Sequence, residues 1–99
     1  MKLKVLMKTG NGIKLEIEGE GHSFCNALQK ILLGEETIDT VGYAIAHPLT
    51  ANPVVHVRTL KGRPETALRN AAEKLQKKTK QFNEAFDKAL KEWAQKPSG

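Results

Sequence analysis

The sequence predicts an α+β domain of element order ββαββα: a four-stranded sheet with two helices on one face, the last helix long. Three observations carry this. Apolar and charged residues alternate over residues 2–18, the period of half-buried strands. The period becomes helical after Gly19-Glu20-Gly21. Residues 65–95 contain neither proline nor glycine, the pattern of an uninterrupted helix. At 99 residues the chain is expected to form one domain over residues 1–99, with a modest core.

The first strands form a hairpin. Leu3, Val5 and Met7 are assigned to its inner face, with Ile13, Leu15 and Ile17 opposite them. Lys2, Lys4, Lys14, Glu16 and Glu18 leave the other face wet. Thr9-Gly10-Asn11-Gly12 is the turn, where glycine and asparagine can supply positive φ. Phe24, Ala27, Leu28, Ile31 and Leu32 then follow helical spacing. Ser23 or His22 is the expected N-cap and Gly34 the C-cap. Cys25 and Leu33 add apolar surface outside that stripe, so this helix is expected to have two neighbours, the sheet and a partner.

Residues 38–47 and 54–60 are β-branched runs separated by His47-Pro48-Leu49 and Asn52-Pro53. Pro64 suits the first position of the last helix, with Glu65 in its first turn. That helix, about 30 residues at 1.5 Å each, would be roughly 45 Å long, more than a domain of about 13 Å radius of gyration can cover. Its apolar positions are Leu68, Ala72, Leu75, Thr79, Phe82, Phe86, Ala89 and Trp93, a heptad seam with one polar member. The expectation is therefore an overhanging C-terminal helix whose Thr79, Phe82, Phe86, Ala89 and Trp93 meet a partner. The alternative is a helix end that folds back on the core.

Composition and motifs exclude more than they assign. The net charge of +5 allows an acidic or nucleic-acid partner, but the basic residues are spread along the chain and mixed with glutamates. The alternative function is a small basic α/β nucleic-acid-binding protein of the chromatin type, which would carry a basic face free of acids. The lone Cys25 allows no intramolecular disulfide and suits a reducing compartment. Met1–Lys8 has no apolar run of the kind a signal peptide needs, and no run is long enough to span a membrane; a cytoplasmic protein is expected. Gly10-Asn11-Gly12 and Gly19-Glu20-Gly21 are too short and wrongly placed for a phosphate loop. An acyl-phosphatase-like enzyme would need an arginine-bearing loop after its first strand. Cys25, His22, His47 and His56 do not supply the paired ligands of a zinc site, and Cys25 is assigned a structural role. No catalytic, metal-binding or cofactor-binding residue is assigned, and no cofactor is expected.

Glu18-Gly19-Glu20-Gly21-His22-Ser23-Phe24, with Asn26, Leu28 and Ile31-Leu32-Leu33 after it, resembles the opening of the first helix in the small α-like subunits of RNA polymerase. Val41-Gly42-Tyr43, His47-Pro48-Leu49, Asn52-Pro53 and the Pro64-Glu65 helix start resemble the same family in the same order. Gly21, the Phe24-Cys25 pair and Arg63 depart from its commoner residues. The similarity runs from about residue 3 to residue 93 and is to the L-type members of archaeal polymerases, counterparts of the eleventh eukaryotic subunit. It implies a non-catalytic component of DNA-directed RNA polymerase, a nucleotidyltransferase complex. The small chain would pair with the larger α-like subunit, D, as a platform for the large catalytic subunits, and would make no sequence-specific nucleic-acid contact. The first-helix residues expected at that interface are Phe24, Ala27, Leu28 and Leu32.

Overall fold

The alternating N-terminal pattern becomes two antiparallel strands, β1 (Lys2–Lys8) and β2 (Gly12–Glu18), in a computed structural model that describes residues 1–45 and 52–95. Helix α1 (His22–Leu33), strands β3 (Ile38–Ile45) and β4 (Pro53–Thr59), and helices α2 (Pro64–Leu75) and α3 (Thr79–Gln95) follow. All strand pairs are antiparallel, in spatial order β1-β2-β4-β3. The predicted end of the third strand at residues 46–47 and the His47-Pro48-Leu49 turn lie outside the described residues.

One face of the sheet carries the core. Leu3, Val5, Ile13, Leu15, Ile17, Val55 and Val57 point into it, opposite Leu28, Leu32, Leu68, Ala71 and Ala72. The opposite face presents Lys2, Lys4, Lys14, Glu18 and His56 to solvent. The period-two reading of β1 holds only as far as Val5. The register with β2 shifts between Val5 and Met7, so Leu6 and Met7 are both exposed, at 40% and 46%. Such a bulge inserts one residue and reverses the phase of the strand beyond it. Lys8, opposite Ile13, thereby reaches Glu65 at the start of α2, with Nζ 3.4 Å from Oε2.

The hairpin turn also differs from expectation. Thr9 N–H donates to Gly12 O at 2.8 Å, but the positive-φ glycines among the described residues are Gly19 and Gly62. The turn is held from outside instead: Asn11 O accepts from Thr59 N–H at 2.8 Å and from Thr59 Oγ1 at 3.3 Å, tying it to the end of β4. Helix α1 begins at His22 with Gly21, not Ser23 or His22, as N-cap, and a glycine has no side chain to cap with; His22 Nδ1 instead lies 3.1 Å from Tyr43 Oη on β3. Gly34 is the C-cap, and Pro64 opens α2 behind Arg63.

The largest correction concerns the C-terminal helix. It does not overhang as one rod. The chain turns at Gln76–Lys78, where Gln76 (φ 57°) and Lys78 (φ 59°) adopt the left-handed conformation, and α3 returns across β1. Three helices, not two, therefore line the core face: α1 over β3, α2 over the middle strands and α3 over β1. Phe82 and Phe86 are fully buried, and Ala89 nearly so. Left-handed geometry costs a non-glycine residue about 1–2 kcal/mol, whereas burying a large apolar side chain contributes about 1.5–3 kcal/mol. Two phenylalanines, together with the inner face of β1 that they cover, outweigh two strained residues. The body measures 35 × 30 × 24 Å with a radius of gyration of 12.6 Å, too short for an unbroken helix of that length.

Candidate interface

Side-chain bonds hold the turn between α2 and α3. Thr79, the polar member of the seam, donates its Oγ1 hydrogen to Ala72 O at 2.8 Å, satisfying one of the carbonyls that the end of α2 leaves open. Lys78 Nζ reaches Glu20 Oε1 at 2.7 Å, and the Glu20 side chain is only 7% exposed. Arg69 of α2 bonds Asp87 and Asn83 of α3, with its guanidinium carbon 5.1 Å from the Phe86 ring centroid, within the range of a cation–π contact.

The two predicted groups of interface residues do meet. Phe24 of α1 lies 6.4 Å from Phe82, and Phe82 lies 5.5 Å from Phe86, between ring centroids. This aromatic row joins the start of α1 to α3. Exposure divides the predicted set. Leu28, Leu32, Phe82, Phe86 and Ala89 are buried in this chain's own core. Phe24, Ala27, Thr79 and Trp93 are half-buried and keep part of their surface open. Helical spacing places the α1 stripe slightly off its observed position: the buried line is Cys25, Leu28 and Leu32. Phe24, Ala27 and Ile31 form its half-buried flank, and Leu33 is 61% exposed. Cys25 is thus inside the core, not beside it. Burial pushes its thiol pKa up, and the Glu20 carboxylate adds to that. A protonated buried thiol is a poor nucleophile.

The acid–base chemistry of the surface is dispersed. Lys8, Arg58, Arg69, Lys74 and Lys78 each pair with a carboxylate, from Glu65, Asp39, Asp87, Glu35 and Glu20 respectively. A basic face free of acids, as phosphate recognition needs, does not form among these residues. A cleft of about 380 Å³ beside β1 is lined by both signs of charge: Lys2, Lys4 and Lys88 with Glu16, Glu18 and Glu92. No cluster of three or more His, Cys, Asp or Glu suited to a metal occurs among the described residues. Nor is any described helix long and apolar enough to cross a membrane. The bulge in β1, the turn at residues 76–78 and the Glu20–Lys78 bond have no signal in the spacing of apolar residues.

Comparisons with known proteins agree with this arrangement. Residues 12–85 match the RNA polymerase Rpb3/Rpb11 dimerisation domain. The chain is 38% identical to DNA-directed RNA polymerase subunit Rpo11 of Methanocella arvoryzae, covering 92% of this chain and 99% of that one. It is 34% identical to the Rpo11 of Pyrococcus furiosus, covering 92% and 99%. The solved structure of DNA-directed RNA polymerase subunit L from Thermoplasma acidophilum superposes with a TM-score of 0.69 at 26% identity, over 99% of this chain and 97% of that one. With the four-stranded antiparallel sheet, its one helical face and this coverage together, the chain belongs to the RNA polymerase Rpb3/Rpb11 dimerisation-domain family.

Proposed function

We propose that this chain is the small α-like subunit of a DNA-directed RNA polymerase, working in the cytoplasm as an architectural component. It pairs with the larger α-like subunit, D, and the pair is the platform on which the large catalytic subunits assemble. The observation that carries this reading is the outer flank of α1. Phe24, Ala27 and Ile31 keep apolar surface open beside the buried stripe, on a chain whose family is defined by dimerisation; Leu33 is exposed on the other side of that stripe. Half-buried Thr79 and Trp93 of α3 complete the proposed contact surface. Leu28, Leu32, Phe82, Phe86 and Ala89 support it from beneath. Exposed apolar surface at the end of a helix is what a partner helix would cover.

Co-expression with the larger α-like subunit of the same organism, followed by size exclusion, tests the proposal. The two chains should co-elute. The variant Ala27→Lys should keep the circular dichroism of the isolated chain and weaken the pairing more than about a hundredfold, since a charge would enter a desolvated contact. Failure of the native chains to pair, or pairing that this variant leaves unchanged, refutes the assignment.

A further inference from the structure

The two free edges of the sheet are built differently. β1 carries Lys2, Lys4 and Lys8 and a bulge between Val5 and Met7, features that discourage a further strand from pairing there. β3 has no lysine, arginine or proline, and Asp39 is its only charge. One irregularity falls between Ile38 and Thr40, after which Thr40–Ile45 pairs with β4 in unbroken register. On its other side β3 has no neighbouring strand, so every second N–H and C=O there lacks a ladder partner among the described residues. Thr40, Gly42 and Ala44 on the outer face are too small to shield those groups.

The core side of this edge is unfinished as well. The inward side chains of β2 and β4 are buried, whereas Ile38, Val41 and Tyr43 of β3 stay half-buried. Helix α1 runs back along β3, with His22 Nδ1 3.1 Å from Tyr43 Oη. Leu33 follows His22 by eleven residues, close to three helical turns. It therefore stands on the same β3-facing line of α1, and it is exposed. A further strand at this edge would lie beside Val41 and Tyr43 and below Leu33.

We propose that β3 is a second docking edge, to which an extended, basic segment of another protein adds as a further strand. Its apolar residues, at alternate positions, would face Val41, Tyr43 and Leu33, and a lysine or arginine would stand opposite Asp39. Charge selects this occupant. Glu36 and Asp39 are both exposed near the start of β3, and Arg58 Nη1 meets Asp39 only at 4.0 Å, with both side chains open to solvent. A second copy of the chain would present a β3 that holds no cation, so a different, basic chain is the better complement. The edge lies across α1 from the flank of Phe24, Ala27 and Ile31 assigned to the larger α-like chain. The inference stands without that assignment, and its test contains this chain alone.

The whole chain, labelled for NMR, is titrated with synthetic peptides of about ten residues. One alternates valine with lysine and threonine, a twin is N-methylated at alternate amides, and a third has glutamate in place of lysine. The lysine peptide should bind with a dissociation constant of about 1 mM or tighter. It should slow hydrogen exchange at alternate amides of Thr40–Ile45 and give NOEs to Leu33. N-methylation along the bonding edge should weaken binding at least about tenfold, because it removes the ladder donors. The glutamate peptide should bind about tenfold more weakly than the lysine peptide, and Asp39→Lys should reverse that preference. Thr40→Lys with Ala44→Lys, both on the exposed face, should keep the thermal midpoint and weaken the lysine peptide at least about tenfold. No binding by the lysine peptide, equal binding by its N-methylated twin, protection on β1 instead of β3, a charge preference that Asp39→Lys leaves unchanged, or full binding by the double lysine variant overturns the proposal. So does pairing of two copies across Gly42, read from intermolecular NOEs in a mixed labelled sample.

Discussion

Removing the Phe86 ring separates a folded-back α3 from an overhanging one. Phe86 is fully buried, 5.5 Å from Phe82 and 5.1 Å from the Arg69 guanidinium. Truncating such a phenylalanine costs about 3–5 kcal/mol from lost transfer energy and the cavity left behind. The cation–π contact accounts for about 0.5–1 kcal/mol more at a partly exposed arginine. Domains of this size are stable by about 5–15 kcal/mol, so Phe86→Ala removes a large fraction. At roughly 2.1 cal/mol/K of unfolding entropy per residue, the thermal midpoint of the isolated chain should fall by roughly 17–29 °C. Urea unfolding followed by circular dichroism gives the free energy directly, with the slope m unchanged if the transition stays two-state. Lys88→Ala on the exposed side of α3 is the control and should stay within about 0.5 kcal/mol. A Phe86→Ala loss no larger than the control's would mean that the ring sits in solvent, and the folded-back packing of α3 would be wrong.

Three other outcomes follow from local geometry. The raised thiol pKa of Cys25 means that the native state holds its proton at pH values where the unfolded chain releases it. This contribution to stability is complete below the ordinary thiol value of 9.0 and is lost as pH rises toward the folded value; Cys25→Ala should cost about 1 kcal/mol at pH 7 and flatten the decline measured by urea titrations at alkaline pH. Lys8→Met should cost about 1–2 kcal/mol, because Glu65 keeps a buried carboxylate oxygen without a hydrogen bond and would lose its only ion-pair partner among the described residues; adding Glu65→Gln should recover part of that in a double-mutant cycle. Lys77→Gln with Lys80→Gln, both exposed on or beside α3, should leave the thermal midpoint and the salt slope of any nucleic-acid binding unchanged; a drop in that slope would favour the nucleic-acid alternative.

Most of the fold was legible because burial imposes period on sequence. Ile13, Leu15 and Ile17 point inward as their alternation requires, and the switch to helical spacing after Gly21 falls where α1 begins. Pro64 marks a helix start for a steric reason that holds in almost any context; Gly34 does end α1, but in right-handed geometry (φ −82°) that does not require glycine. The site was less legible. Periodicity says which residues are apolar on a common face, not whose surface covers that face. Phe82, Phe86 and Ala89 satisfy a seam equally well against their own β1 or against another chain. The bulge at Leu6 was hidden because Met7 is as apolar as the inward residues it imitates. Cys25 was set beside the stripe because the spacing from Phe24 is as regular as the spacing from Cys25, and only packing against β3 and α2 selects between them.

The absence of glycine and proline from 65–95 was sound evidence for helix and misleading evidence for one helix. A helix needs no breaker residue to end if tertiary contacts outweigh the strain of ending it. Here the compensation is spread over distant positions: Phe82 and Phe86 against the sheet, Thr79 on Ala72 O, and Glu20 on Lys78 from 58 residues away. No window of sequence contains all of them. The same arrangement explains why the turn falls where it does. Thr79 is the one hydroxyl-bearing and least apolar residue of the seam, so it is the point at which an interrupted seam loses least apolar burial. A seam of uniform leucines would have favoured the straight rod. The polar residue in the heptad is therefore the sequence feature most closely tied to the turn, and its hydroxyl connects the local pattern to the packing of the whole helical layer.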